Sequence, residues 1–326
     1  MRVISRRIGF YIITAIAAIT FDFLIPRVMP GNPVEAVLAK MQGQVVTKAT
    51  LHALELQFGS NTSEGLWGQY LHYWNNLLHG NLGTSTSNGM VPVTTVIRGA
   101  LPWTIGLVGT ATVISFILGT LLGVLVAWRR GGWLDTLLPA TTFFQAAPYF
   151  FLAFLAIDLF ALRLGWFPSG SARGNLDFPA FDWTYISDVL DHAVLPALTI
   201  VIASAAGWIV GMRNVMITTM DEDYVLIAQA KGLPKQRVVW YAARNAILPS
   251  ISGFSLAIGF VVSGALLTEI VFSYPGLGFI MLNAVQEADY ALLQGIFLVI
   301  TMAVLVANLA ADFVYVFLDP RTRQEA

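Results

Sequence analysis

The sequence of 326 residues contains no cysteine and few charged residues. The absence of cysteine excludes disulfide bonds, thiolate metal sites and cysteine nucleophiles. Charged residues make up 11% of the chain and hydrophobic residues 56%, whereas about 25% of an ordinary soluble domain is charged. A soluble protein of this length needs a largely polar exterior, so much of this surface must face lipid.

Several catalytic motifs are also missing. None of the lysines (Lys40, Lys48, Lys231 and Lys235) follows a glycine, so the chain lacks the Gly-Lys pair with which a P-loop binds phosphate. The four histidines form no His-x-x-x-His pair, and no Gly-x-Ser-x-Gly elbow occurs. We therefore expect no ATP hydrolysis by this chain alone, no metalloprotease-type metal site, no serine hydrolase and no cofactor. The net charge of -1 gives no basic field for nucleic acid.

Six apolar segments are long enough to cross the hydrocarbon core of a membrane, which takes about 20 residues. They cover approximately residues 8–28, 101–128, 134–162, 193–215, 251–272 and 292–318. Pro139 and Pro148 predict that the third span is kinked or broken. The first apolar run has no small-residue cleavage site, so we interpret it as a retained span rather than a signal peptide. The sequence thus predicts an all-α polytopic membrane protein with six transmembrane helices.

The basic residues predict the orientation of these spans. With the N-terminus inside, 12 of the 18 lysines and arginines lie on the inner side, as the positive-inside rule requires. Both termini are then cytoplasmic, and two long segments lie outside, approximately residues 30–98 and 163–192. The first holds an amphipathic aromatic stretch, Trp67 to Leu78, which predicts a helix at the outer membrane interface. A platform that contacts the substrate is the alternative.

Four acidic residues lie inside or near the spans: Asp22, Asp158, Glu269 and Asp312. A carboxylate inside the membrane costs about 2.5–3.5 kcal/mol on insertion scales, so each needs a reason. One reason is ion coupling in a secondary transporter, and the other is a position near a helix end or against a partner helix. The sequence shows neither the repeated topology with central carboxylates of a secondary transporter nor the paired catalytic residues of an intramembrane enzyme.

The most specific region is the inner loop between spans four and five, residues 217–250. Its acidic triplet, residues 221–223, suits the positive end of a helix macrodipole. Gly232 can adopt a left-handed conformation at a helix end, and Pro234 prevents the helix from continuing. The sequence predicts a short helix, a sharp turn and a basic amphipathic helix. Small residues around the turn, Ala228 and Ala230, would let another protein approach the backbone closely.

This loop resembles the EAA motif of binding-protein-dependent ABC importers, and in particular the permeases of the dipeptide/oligopeptide/nickel class. The segments that carry the resemblance are residues 228–233 and residues 244–249, with Gln229 and Tyr241 where the class usually has Arg and His. Further stretches match the same class in order along the chain. They are Met29–Pro33, Gly80–Ser85 with Pro92-Val93, Leu164–Gly170, Leu195–Leu198, Glu269–Gly278 and Leu318–Arg321.

The resemblance implies a type I importer transmembrane domain with an extracytoplasmic insertion after the first helix. Residues 1–100 would form the first helix and this insertion, and residues 101–326 the five-helix permease core. The long insertion indicates the first of the two permease subunits. The implied partners are a second, homologous permease, two ATP-binding cassette ATPases and an extracytoplasmic solute-binding protein, in the inner membrane of a prokaryote. Peptides are the usual substrates of the class, and relatives carry oligosaccharides, opines or nickel.

The resemblance also implies two groups of functional residues. The ATPase-coupling loop would comprise Ala228, Ala230, Lys231, Gly232, Leu233, Asn245 and Pro249. On the outer side, Glu269, Pro275, Gly276 and Gly278 would form a turn followed by a short re-entrant or interfacial helix near Phe279–Ala284. For this outer turn, a scaffold role and a direct part in the outer gate both stay open.

Overall fold

A computed structural model describes residues 2–28, 65–174, 182–259, 261 and 265–318. The helices are α1 (Arg2–Val28), α2 (Leu66–Leu78), α3 (Val93–Thr104), α4 (Thr110–Trp128), α5 (Leu138–Ala146), α6 (Tyr149–Ala156), α7 (Trp183–Met220), α8 (Asp223–Ala230), α9 (Lys235–Gly259), α10 (Leu266–Val271), α11 (Leu277–Gln286) and α12 (Tyr290–Leu318). Strands β1 (Thr84–Ser85) and β2 (Val91–Pro92) pair in an antiparallel hairpin. The matching stretches Met29–Pro33 and Asp319–Arg321 lie outside the described residues.

Within the described residues, four helical segments are each long and apolar enough to cross a membrane. They are Arg7–Leu24, Val93–Trp128, Trp183–Met220 and Tyr290–Phe313. These segments correspond to the predicted first, second, fourth and sixth spans. In the second, a π-helical turn at Ile105–Gly109 joins α3 to α4 without a break. The prediction of an all-α polytopic membrane protein is confirmed.

The predicted third span is broken, and the break is at Pro148. Helix α5 ends at Ala146, and the helical segment Tyr149–Arg163 continues at an angle of 102°. Pro148 has no N–H to continue the helical hydrogen bonds of α5, and its ring clashes with the preceding turn. Pro139, in contrast, lies in the first turn of α5, where a missing N–H costs little.

The predicted fifth span begins earlier than hydrophobicity alone indicates. The basic segment that follows the inner turn and the first part of the span form one continuous helix, α9. Pro249 lies inside this helix and does not end it. The chain continues in α10, and residues 260 and 262–264 between them lie outside the described part of the chain. The count of six spans therefore stays a prediction.

The chain forms two compact units. One comprises residues 1–103 and 275–305, and the other comprises residues 104–274 and 306–326. In the second unit, glycines allow α4 and α7 to pack closely. A Cβ atom at Gly119 would lie 2.8 Å from the carbonyl oxygen of Ala205, and one at Gly123 would lie 2.7 Å from that of Ile209. Small residues at such contacts let membrane helices approach each other closely.

In the first unit, α2 packs against the end of the first span. The Tyr70 hydroxyl lies 2.7 Å from the Thr20 hydroxyl, and the Tyr73 hydroxyl donates to the Asp22 carboxylate at 3.0 Å. The aromatic stretch predicted to form a helix, Trp67 to Leu78, lies within α2, so this prediction is confirmed. Its position at the outer membrane interface stays a prediction.

Candidate functional site

The predicted sharp turn of the inner loop is a Schellman motif at the end of α8. Gly232 has a φ angle of +75°, and its N–H donates to the Gln229 carbonyl at 2.9 Å. The Leu233 N–H donates to the Ala228 carbonyl at 3.3 Å. These two bonds satisfy carbonyl groups that the helix end would leave without partners. The left-handed conformation predicted for Gly232 is confirmed.

Pro234 begins the next helix. Its carbonyl accepts a hydrogen bond from the Arg237 N–H at 2.8 Å, and α9 runs from Lys235 onwards. The acidic triplet is divided between two helix ends, because Asp221 caps the C-terminus of α7 whereas Glu222 and Asp223 begin α8. The short helix and the sharp turn are as the sequence predicts, whereas the basic segment is the start of the long helix α9.

One side of α8 is anchored in the core of its own unit. Val225 is fully buried in a cluster with residues of α7 and α9, among them Met216 and Ala242. Ala228 and Leu233 are half-buried and pack against the same cluster. Ala228 thus packs against the core of its own unit, and its predicted contact with another protein stays a prediction. The reason is the direction of α8, which turns every third or fourth residue toward the core.

The other side of α8 is exposed and carries two large apolar side chains. Leu226 and Ile227 have 49% and 55% of their surface exposed, and Ala230, Lys231 and Gly232 are exposed beside them. We call this set, residues 226, 227 and 230–232, the exposed turn. The sequence-based set of site residues omits Leu226 and Ile227. The sequence does contain a feature that indicates them, the apolar run of residues 225–227. Three successive residues of a helix point in different directions, so their side chains cannot all face the same core.

Asn245 and Pro249 lie on α9 rather than on α8. Both are exposed, but they lie further along α9. The common role of Asn245, Pro249 and the residues that flank Gly232 stays a prediction.

A second feature of the same compact unit is an ion pair between Asp135 and Arg213. The Arg213 guanidinium lies 2.8 Å and 3.0 Å from Asp135 Oδ1, and the Gly131 N–H donates to Oδ2 at 3.2 Å. The Gly131 N–H and the guanidinium lower the pKa of the Asp135 carboxyl. This pair joins the loop after α4 to α7. Sequence reasoning missed it because its members lie far apart in the chain.

The four residues of the predicted outer turn divide between the two compact units. Glu269 is fully buried in α10, and its carbonyl accepts from the Tyr274 N–H at 2.8 Å. Pro275, Gly276 and Gly278 belong to the other unit. There Gly276 precedes the first turn of α11. The short helix predicted after the turn is thus present as α11.

A buried carboxylate that sequence reasoning missed holds the hairpin in the first unit. Asp289 Oδ2 accepts from the hydroxyls of Ser85 at 2.6 Å and Ser87 at 2.7 Å. Asp289 Oδ1 accepts from the Leu292 N–H at 3.0 Å, which caps the start of α12. Ser85 belongs to the Gly80–Ser85 stretch of the resemblance. The only feature of the sequence that indicates a role for Asp289 is its position just before an apolar helix, where an acidic residue can cap the helix.

Three of the four acidic residues predicted inside or near the spans, Asp22, Asp158 and Asp312, have local partners or lie near helix ends. Asp158 is exposed and pairs with Arg163 at 2.9 Å. Asp22 is buried beside Tyr73 near the end of the first span. Asp312 lies near the end of α12. These positions match the second alternative given for the carboxylates, a place near a helix end or against a neighbouring helix. The three residues do not form the central cluster that ion coupling requires.

Comparison with known proteins gives the family. Residues 119–324 match the family described as binding-protein-dependent transport system inner membrane component. The chain is 34% identical to the di/tripeptide transport system permease protein DppB of Pseudomonas aeruginosa, over 99% of this chain and 98% of that protein. It is 30% identical to the oligopeptide transport system permease protein AppB of Bacillus subtilis, over 92% of each chain.

The match is not confined to one motif, because it covers nearly the whole chain and includes both compact units. The resemblance drawn from the sequence is thereby confirmed, and the ion-coupled alternative has no support among these relatives. The chain belongs to the family of binding-protein-dependent transport system inner membrane components.

Proposed function

We propose that this chain is the permease subunit through which an ATP-driven importer moves peptides across the inner membrane. The observation that carries the proposal is the exposed turn, an apolar surface fixed on a buried anchor between two long helices. The relatives named above are permease proteins for dipeptides, tripeptides and oligopeptides, and this supports peptides as the substrate. A family of this kind works with ATPase and substrate-binding partners.

The complete importer contains a second, homologous permease, two ATPases and a solute-binding protein. ATP hydrolysis takes place in the ATPases, because this sequence lacks a phosphate-binding loop. The exposed turn docks on one ATPase, and Leu226 and Ile227 supply the apolar contact. The outer turn around Glu269 and Pro275 serves as a scaffold for the outer end of the pathway.

The packing of α8 explains how movement of an ATPase reaches the membrane. Val225 fixes α8 to α7 and α9, and these helices have 38 and 25 residues. At about 1.5 Å per residue, each is long enough to carry a displacement from the inner surface deep into the membrane. Because packed cores do not deform continuously, α7, α8 and α9 move together.

The central experiment is the substitution Ile227→Asp in the complete importer. We expect the permease pair to assemble and the ATPase to be lost on purification, together with ATP-dependent peptide uptake. A charge on an exposed apolar contact opposes docking because it would lose its water there, whereas the fold survives because Ile227 is outside the core. The matched control is Ile227→Leu, which keeps uptake. Normal ATPase binding by Ile227→Asp would contradict the proposal.

The proposed orientation has a separate test. A single cysteine at Ser169 should react with a membrane-impermeant thiol reagent from outside, and one at Lys235 only from inside. The absence of native cysteine keeps the background low. Reaction of both cysteines from outside would reverse the orientation that the basic residues predict.

A further inference from the structure

The break at Pro148 interrupts the helical backbone in the segment that would form the third span. Helix α5 ends and α6 begins near the middle of the segment that would form the third span. The Phe143 carbonyl still accepts from the Ala147 N–H, and the Phe151 and Leu152 N–H groups donate to the Pro148 carbonyl. The helical hydrogen-bond ladder cannot supply partners for the backbone groups between them. In membranes such breaks occur where protein covers them or where they line a water-filled cavity.

The second compact unit does not cover this break. Gln145 and Pro148 are exposed, and Tyr149 has 38% of its surface exposed. An amide side chain and a phenol on an open face are unexpected for a helix that contacts only lipid tails, because lipid leaves the amide unsatisfied. The break is therefore uncovered within its own unit, and in a membrane it needs a second protein or water against it.

Polar groups of α7 converge on the same face. The Tyr149 hydroxyl lies 3.4 Å from the Ser204 hydroxyl. A Cβ atom at Gly207 would lie 3.5 Å from Gln145 Nε2, so the amide rests against the bare backbone of α7. Ser204 and Gly207 are three residues apart and share one face of that helix. Near the middle of α7, an amide and two hydroxyls therefore lie beside the broken backbone.

We propose that Gln145, Tyr149 and Ser204, together with the backbone at the break, line the translocation pathway and bind the peptide backbone of the substrate. We call this set the break patch. The inference rests on the proposed function and adds the residues that meet the substrate. Amide and hydroxyl groups both donate and accept hydrogen bonds, which matches the N–H and C=O groups of a peptide.

The lack of charge in the break patch explains how one pathway serves many peptides. Helices α5 and α6 contain no charged residue, so they neither select nor reject a peptide by the charge of its side chains. The backbone groups are common to all peptides, and hydrogen bonds to them are modest and local. The patch thus binds weakly enough for release.

The first test uses single cysteines in an importer whose partner subunits contain none. A cysteine at Gln145 should react with a membrane-impermeant thiol reagent, and a transported dipeptide should slow this reaction at least threefold. The control is a cysteine at Phe154, which is exposed on another side of α6 and should stay unreactive in lipid. No reaction at position 145, or a reaction that the dipeptide does not change, would overturn the inference.

The second test measures uptake by Gln145→Leu and Tyr149→Phe. Each removes one hydrogen-bonding group and keeps the approximate size of the side chain. A hydrogen bond contributes about 1 kcal/mol, so we expect uptake of a dipeptide to fall about fivefold in each variant. Phe154→Leu should keep the wild-type rate. Unchanged uptake by both polar variants would overturn the inference.

These outcomes are distinct from failure of the proposed function. In the break-patch variants the ATPases should stay bound, because the exposed turn is intact. If the wild-type importer neither binds ATPases nor moves peptides, the proposed function fails and the inference fails with it. If the wild type does both and the break-patch variants match it, the inference alone is wrong.

Discussion

The turns at Gly232 and Ser273 share one hydrogen-bond pattern but are determined differently. At Ser273 the Tyr274 N–H bonds to the Glu269 carbonyl, as the Leu233 N–H bonds to the Ala228 carbonyl. The turn at Gly232, called the inner turn below, is exposed and has glycine at φ +75°. The turn at Ser273 lies within the predicted outer turn and has serine at φ +48° between the buried Phe272 and Tyr274. The local sequence fixes the first turn. Tertiary packing holds the second in a conformation that serine disfavours.

The largest expected effect comes from removing the packing that holds the outer turn. A Cβ atom at Gly170 would lie 2.6 Å from the Phe272 carbonyl oxygen, which also accepts from the Ser171 N–H at 2.7 Å. Because the added Cβ would clash with a backbone oxygen that cannot rotate away, Gly170→Ala should destabilise the chain by about 2–3 kcal/mol. The measurement is the thermal unfolding midpoint of the purified importer.

The matched control for this substitution is Gly211→Ala. Gly211 lies in α7, and a Cβ atom there would have no neighbour within 4 Å. We expect its midpoint to equal or exceed that of the wild type, because alanine favours a helix. Equal midpoints for Gly170→Ala and Gly211→Ala would show that the outer turn does not depend on this contact.

The next effect concerns the inner turn. Gly232→Val should cost about 1–2 kcal/mol in backbone strain, although the added side chain meets open space. We expect the permease pair to assemble while ATPase binding and uptake fall strongly, as measured by co-purification and transport. Gly232→Asn should retain more of both, since asparagine tolerates the left-handed conformation. Equal losses in the two variants would mean that bulk, rather than conformation, matters.

A smaller effect is expected from the ion pair that fixes the neighbouring inner loop. The pKa of Asp135 is lowered, so the pair stabilises the folded chain above the usual carboxyl pKa of about 4 and is lost as pH falls through the lowered value. Asp135→Asn should lower the thermal midpoint equally at pH 6 and pH 8, and the difference should shrink below about pH 4.

The control for the ion pair is Asp158→Asn, which breaks the exposed pair with Arg163. Exposed pairs contribute little to stability, so its midpoint should match the wild type throughout. A difference between Asp135→Asn and the wild type that changes between pH 6 and pH 8 would contradict the assigned role of the ion pair.

The smallest effect is that of Ser273→Gly. Relief of left-handed strain and the greater entropy of glycine in the unfolded chain are each about 1 kcal/mol and have opposite signs. The unfolding free energy should therefore change by less than about 0.5 kcal/mol, as followed by thermal unfolding. The reciprocal Gly232→Ser should cost about 1 kcal/mol. Similar losses for both exchanges would remove the distinction between the two turns.

The same distinction separates what the sequence could predict from what it could not. Gly232, Pro234 and Pro148 act on their immediate neighbours, so their turns and the break follow from local rules. The pairs Asp135–Arg213 and Ser85–Asp289 join residues 78 and 204 positions apart. Such contacts depend on helix packing, which periodicity and composition do not specify.

The exposed apolar residues of α8 show a second limit. The run of residues 225–227 is apolar throughout, and only the docking of α8 on its neighbours decides that Val225 is buried and Ile227 is exposed. Hydrophobicity likewise failed to locate the start of α9, because a basic segment outside the membrane continues the helix of the span. In both cases tertiary structure overrides a local signal.

The bond between Ser85 and Asp289 has a consequence for biogenesis. A ribosome adds about 5–20 residues per second, so about 10–40 s separate the synthesis of these two residues. During that interval the hairpin exists while the carboxylate that fixes it has not been made. Its serines must stay solvated until Asp289, at the start of α12, has been made.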